Sequence, residues 1–202
     1  MFALVESGSI TKMLNGNRGI TVDGVQHPRT IFTLWTEAER NAIGIYTVEI
    51  DESKKKNEKW YINTNITYSF DGSKVTGSYG DATAKAHANT LFTAQDETDG
   101  LGTEGDVKVE GLKTRLIRDV KTQAQNILND TDWYITRKAE KDTAIPSAIS
   151  THRDAVRSKQ AEMETAITNA SDTPALETLY TYTEQEDGSV TRPLGKLPTL
   201  ED

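Results

Sequence analysis

The chain has 202 residues, 35% hydrophobic and 27% charged, and a formal net charge of -8 from 31 acidic and 23 basic residues. That balance argues against a general nucleic-acid binder, which needs a positive surface to displace counterions from phosphate. Cysteine is absent, which excludes a disulfide framework, a thiolate metal site and a cysteine nucleophile.

No apolar run nears the roughly 18 residues of a bilayer span. No basic-then-apolar leader opens the chain, so the expectation is a cytoplasm-like compartment, or release by lysis, with no membrane partner. The modest apolar content points to a chain that draws part of its stability from partner chains.

Phe2-Ala3-Leu4-Val5 reads as a strand closed by the turn Glu6 to Ser9. Gly19 to Val25 alternates and then turns. Thr30 to Trp35 is β-branched and aromatic, and reads as a strand or a buried connector. Thr36 and Glu39 have capping-box spacing, and Gly44 stands where a helix end needs a left-handed residue, which bounds a two-turn helix. Ile45 to Ile50 alternates as a strand. Trp60 to Ile62, Ile66 to Phe70 and Val75 to Tyr79 are strand-like, the last two joined across Asp71-Gly72, a hairpin pair that tolerates positive φ. The alanine-rich residues 81–95 are expected to be helical, and the acidic, glycine-rich residues 96–106 a linker at a domain boundary.

Residues 108–129 form the first long helix, with Leu112, Leu116, Ile117, Val120, Ala124, Ile127 and Leu128 as its apolar stripe. A second long helix starts at Pro146, a residue suited to a first turn. Its Ile149, Val156, Met163 and Ala170 recur every seven residues, widened by Ala148, Ala155, Ala166 and Ile167. That spacing suits a helical hairpin or a coiled coil between chains. The intervening residues 131–145 are long for a bundle connection and make a candidate contact surface. Thr173-Pro174 opens a short helix with Leu176 and Leu179 inward. Tyr180 to Thr183 and Val190 to Leu194 are a candidate hairpin, and Pro193 to Asp202 an extended tail.

The fold class is therefore α+β: a small, mostly antiparallel β N-terminal domain, then a long helical hairpin, then a short C-terminal β or extended segment. The boundaries are residues 1–95 for a β-rich docking domain, 96–106 for the linker, 107–171 for the hairpin and 172–202 for the C-terminal segment.

Few motifs carry chemistry. Gly100 to Gly105 matches G-x-G-x-x-G, but it follows Asp96, Glu97 and Asp99, whose carboxylates repel phosphate, and no buried-strand run precedes it. The same acids lack the spacing of an EF-hand loop. His27, His87 and His152 share no short motif with a second ligand, and His87 is expected on the alanine-rich helix. No G-x-S-x-G elbow occurs. An enzyme acting on a surface polymer has no motif in its favour, and no cofactor is expected.

Two stretches carry a resemblance. Trp35 to Tyr46 reads W-x-x-A-E-R-x-A-I-G-I-Y. Between Ile127 and Arg157, a leucine-ended helix precedes Thr131-Asp132-Trp133-Tyr134, and a later helix carries His152-Arg153 and then Arg157. In order and spacing these stretches resemble small bacteriophage tail and tail-fibre-associated proteins, with His152 in place of the usual aromatic. The resemblance implies a non-enzymatic virion component of the tail, baseplate or tail-fibre region. Its expected partners are other tail, baseplate or fibre proteins and its own copies. Its expected location is the virion tail, and the host cytoplasm during assembly. The alternative is a tail-fibre assembly chaperone that leaves the finished particle. Trp35, Asp132, Trp133, Tyr134, Arg153 and Arg157 are the candidate interaction or hairpin-end residues. Trp133 is expected to plug the open end of the hairpin, with Arg153 or Arg157 paired to Asp132 or to carboxylates of a neighbouring chain. Trp133→Ala would then cost roughly 3–5 kcal/mol.

Overall fold

The computed structural model describes residues 1–200. The chain divides into two compact units, residues 1–83 and residues from 84 on.

The first unit contains β1 (Phe2–Glu6), β2 (Ser9–Leu14), β3 (Ile20–Val22), β4 (Val25–His27), α1 (Ile31–Leu34), α2 (Glu37–Asn41), β5 (Ile45–Asp51), β6 (Tyr61–Ile62), β7 (Thr67–Phe70) and β8 (Val75–Ser78). Its five-stranded sheet has the order β2-β1-β5-β8-β7. The ladders β1–β2, β1–β5 and β7–β8 are antiparallel, and β5–β8 is parallel, with Val48 opposite Val75. The sheet is thus mostly antiparallel, as the alternating runs predict. Strands β3 and β4 form a separate hairpin, with Ile20 paired to His27. Leu4, Ile20, Val22, Ile31, Phe32 and Ile45 make the core, and Phe2, Leu14, Trp35 and Ile43 pack against it.

Local chemistry explains most of these elements. Ile31 and Phe32 are both buried, and strand alternation cannot turn two successive side chains inward. The segment Thr30 to Trp35 therefore takes one helical turn rather than a strand. The capping box forms as its spacing predicts: Thr36 accepts from the Glu39 N–H, and the Glu39 carboxylate accepts from the Thr36 N–H. Gly44 ends this stretch at φ 77, where an added Cβ would lie 2.5 Å from the Val5 carbonyl oxygen. Only glycine combines that φ with so close a backbone. At the β7–β8 turn the Asp71 carboxylate accepts from the N–H groups of Ser73 and Lys74 and from the Ser73 hydroxyl. Those bonds, the backbone ones foremost, hold the Asp71 pKa down at about 2.

β9 (Thr83–Ala84) lies at the division between the units, and the second unit continues with β10 (Thr90–Leu91), α3 (Ala94–Thr98), β11 (Val107–Val109), α4 (Leu112–Asn129), α5 (Asp132–Lys141), α6 (Ser147–Asn169), α7 (Thr173–Tyr180), β12 (Thr183–Glu184) and β13 (Val190–Thr191). Four segments differ from the sequence-based expectation. The first long helix begins at Leu112 rather than at 108, because Val107–Val109 is drawn into pairing with β10. Residues 81–95 are not a helix: they hold two short strands and the start of α3, and His87 lies between the strands. Asn89 explains part of this, because its side chain accepts from the Gly111 N–H and the Thr114 hydroxyl at the start of α4. Residues 96–106 are folded rather than a plain linker, and the division falls after Thr83. Here the acids are engaged locally. Asp96 completes a capping box with Thr93 and pairs with Lys108 at 2.6 Å, while Leu91 pairs with Val107 across the segment. Residues 131–145 are not a structureless loop, because ten of them form α5. Asp132 in its first turn and Lys138 and Lys141 in its last match the helix dipole.

The two long helices pair within the chain. On α4 the buried residues are Leu112, Leu116, Val120, Ala124 and Leu128, a four-residue spacing. On α6 they include Ile149, Val156 and Met163 at seven-residue spacing, with Ala170 just past its end, plus His152, Arg153 and Ile167. Ala148 and Ala155 are exposed and do not widen the stripe. Asp172 caps α7 through the Ala175 N–H, and Leu176 is fully buried. The β12–β13 hairpin forms. The tail after it is tied down, because the Leu194 N–H donates to the Leu179 carbonyl and Leu197 packs on Ala124, Leu128 and Val156. Of the expected tail, Glu201 and Asp202 lie outside the described residues.

Candidate functional site

The candidate residues of the second unit meet where α4 ends, α5 begins and α6 passes beside both. Helix α4 stops with its last carbonyls unpaired along its own axis. The Leu128 carbonyl is taken up by the N–H and the hydroxyl of Thr131, at 3.1 and 3.0 Å. One nitrogen of Arg153, Nη1, then reaches across from α6. It donates to the Leu128 carbonyl at 2.8 Å and to the Thr131 hydroxyl at 2.7 Å, and it lies 2.9 Å from an Asp132 carboxylate oxygen. Thr131 and Arg153 are both buried, whereas the Asp132 side chain is half exposed. The guanidinium thus ties the end of one helix, the corner residue and the first turn of the next. Its Nε is buried without a hydrogen-bond partner among the described residues.

On α5 the aromatics behave differently from the sequence-based expectation. Trp133 is 50% exposed and does not plug the hairpin. Its ring stacks on Tyr134 with centroids 3.8 Å apart and planes at 33°. The Arg137 guanidinium covers both rings, 4.6 Å from the Trp133 centroid and 5.2 Å from that of Tyr134. Ile135 is also exposed, and no residue of α5 is buried. The Trp is covered by neighbours on its own helix, which is why it needs no place in the core.

The structure therefore brings Asp132, Trp133, Tyr134 and Arg153 together, and the expected Asp132–Arg153 pair forms. Arg157 does not join them: it is exposed and pairs with Asp154 at 3.3 Å. Trp35 belongs to the first unit. There it packs half-buried on the core, its ring edge against His27 at 5.5 Å, and its carbonyl accepts from Arg40. Two participants carry little signal in the sequence. The part of Thr131 in binding the Leu128 carbonyl and Arg153 follows only from the fold. Arg137 lies three and four residues from the aromatic pair, the spacing that stacks side chains along a helix and the one signal that could find it.

Chemically, the site holds a guanidinium whose Nη1 meets three acceptors, beside a stacked aromatic–cation surface open to solvent. Such a surface offers large, rigid contact area with a polar edge. Among the described residues no group of three or more His, Cys, Asp or Glu side chains is placed to hold a metal ion, and no helix is long and apolar enough to cross a membrane. No protein-family model, curated protein or solved structure matches the chain.

Proposed function

We propose that the chain is a non-enzymatic component of a bacteriophage tail, baseplate or tail-fibre region, an adaptor that works through self-association and contacts with other tail proteins. The observation that carries this reading is the Trp133–Tyr134–Arg137 stack, half exposed on a ten-residue helix with no buried side chain. Tryptophan, tyrosine and arginine are the residues that dominate binding energy at protein interfaces. A helix fastened at its base through Asp132 and Arg153 holds such a group in a fixed place, which lowers the ordering cost of binding. The bacteriophage assignment itself rests on the resemblance of Trp35 to Tyr46 and of Ile127 to Arg157 to tail-associated proteins. In this reading the protein resides in the virion tail, and in the host cytoplasm during assembly.

Mass spectrometry of purified, DNA-filled particles tests this function. A fixed copy number beside tail proteins is the expected result. Recovery only from the infected-cell lysate overturns the virion reading and leaves an assembly chaperone, released before the particle is complete, as the account of the same surface.

A further inference from the structure

The C-terminal hairpin carries a cationic cluster distinct from the α5 surface. The Arg192 guanidinium lies 5.1 Å from the Tyr180 ring centroid and 5.2 Å from that of Tyr182. Its Nε donates to the Gly195 carbonyl at 2.9 Å, which fixes its plane. The Lys196 ammonium stands 6.0 Å from the Tyr182 ring. In a chain with 31 acidic residues, neither cation has a carboxylate within ion-pair distance among the described residues. Burial pushes the Tyr180 hydroxyl up to about 12, so that ring stays neutral.

Arg192 and Lys196 form one side of an open groove of about 350 Å³. Gln123 and Asn126 of α4 supply carboxamides to it, and Ile127 and Leu197 supply apolar walls. Each part suits one feature of an acidic peptide turn. Guanidinium and ammonium groups take carboxylates. Carboxamides pair with main-chain N–H and C=O groups. The two apolar side chains take an apolar residue flanked by those acids.

The same unit presents a turn of that composition. After α3, Leu101 stands 61% exposed between Asp99 and Glu104, with Glu97 and Asp106 also exposed. The turn is rigid. The Leu101 N–H donates to the Asp96 carbonyl at 2.9 Å and the Gly105 N–H to the Phe92 carbonyl at 3.0 Å. Gly102 lies so close to the Phe92 ring that an added Cβ would stand 2.6 Å from it. A pre-formed turn loses little freedom on docking.

We propose that the acidic Leu101 turn of one copy docks into the Arg192–Lys196 groove of the next, a head-to-tail contact between copies of this chain. It rests on the self-association in the function proposed above and names the surfaces that carry it. Because the two surfaces differ, the contact is heterologous, and it repeats until a ring closes or a filament runs on.

Sedimentation velocity on the full chain tests this. The wild type is expected to form species that grow with concentration. R192E/K196E keeps the turn and loses the groove; L101S/E104A keeps the groove and loses the turn. Each variant alone is expected to be monomeric. Their equimolar mixture is expected to give a dimer and nothing larger, because one working turn meets one working groove. A wild type that stays monomeric overturns the contact, as does association that both variants retain, or a mixture that does not pair. A variant with altered circular dichroism is replaced by R192Q/K196Q or by L101S/E104Q, read in the same way. A monomer found in purified particles overturns this contact and leaves the tail function standing. Head-to-tail oligomers absent from particles do the reverse.

Discussion

Arg153 and Trp133 lie close in the fold and differ in what they hold up. Removing Arg153 strips a donor from the Leu128 carbonyl and the Thr131 hydroxyl and takes the cation from Asp132. Arg153→Ala is expected to cost about 2–4 kcal/mol, the range for a buried charged group lost from such a network. Urea denaturation measures this. Arg153→Lys recovers little of it, because a point-like ammonium does not reproduce the reach and plane of a guanidinium. Trp133→Ala, by contrast, is expected to cost under about 1 kcal/mol, since half the side chain is in solvent. If the proposed function holds, the same substitution is expected to weaken capture of the proposed tail partners in a pull-down. A denaturation midpoint that falls as far for Trp133→Ala as for Arg153→Ala contradicts this division of labour.

Among the elements, the β7–β8 hairpin has a pH response that follows from one carboxylate. The folded pKa of Asp71, about 2, lies below the value near 3.9 of an unfolded Asp. Its contribution is therefore complete above about pH 4 and is lost as pH falls through about 2. Asp71→Asn keeps an oxygen acceptor and removes the titration. The stability difference between wild type and variant is expected to change between pH 5 and pH 2 and to be flat above pH 5, as read from urea midpoints. A difference that is constant throughout argues against the turn as the seat of the shift. Elements with strong periodic patterns were legible in the sequence: the Leu112, Leu116, Val120, Ala124 and Leu128 positions of α4, the Ile149–Val156–Met163 heptad of α6 and the Asp71-Gly72 turn stand where residue spacing put them. Elements decided by tertiary partners were not. Residues 81–95 have helix-forming alanines, but Asn89 is drawn to the start of α4 and Leu91 to Val107. At the candidate site the Asp132–Arg153 pair was legible from charge. The exposure of Trp133 was not, because its cover comes from Tyr134 and Arg137 on the same helix, and apolarity alone reads such a ring as core.

At the scale of the molecule, each unit has its own apolar centre: one around Ile31 and Ile45, the other between α4 and α6. With no cysteine in the chain, peroxide falls on the methionines, of which there are three. Met1 is 49% exposed and Met13 partly so, while Met163 is 2% exposed in the helical pair. Sulfoxide formation is expected to be fast at Met1 and slow at Met163, with the Met163 rate rising in Arg153→Ala, as peptide mass spectrometry over a peroxide time course resolves. Equal rates at Met1 and Met163 would contradict the tight closure of α6 on α4. Each oxidised Met163 places a polar oxygen between the two helices and opposes their reclosing. A residue that fills the core is thus also the chain's record of its own openings: in a stock kept in air Met1 oxidises first, and each later sulfoxide at Met163 marks an opening of the second unit.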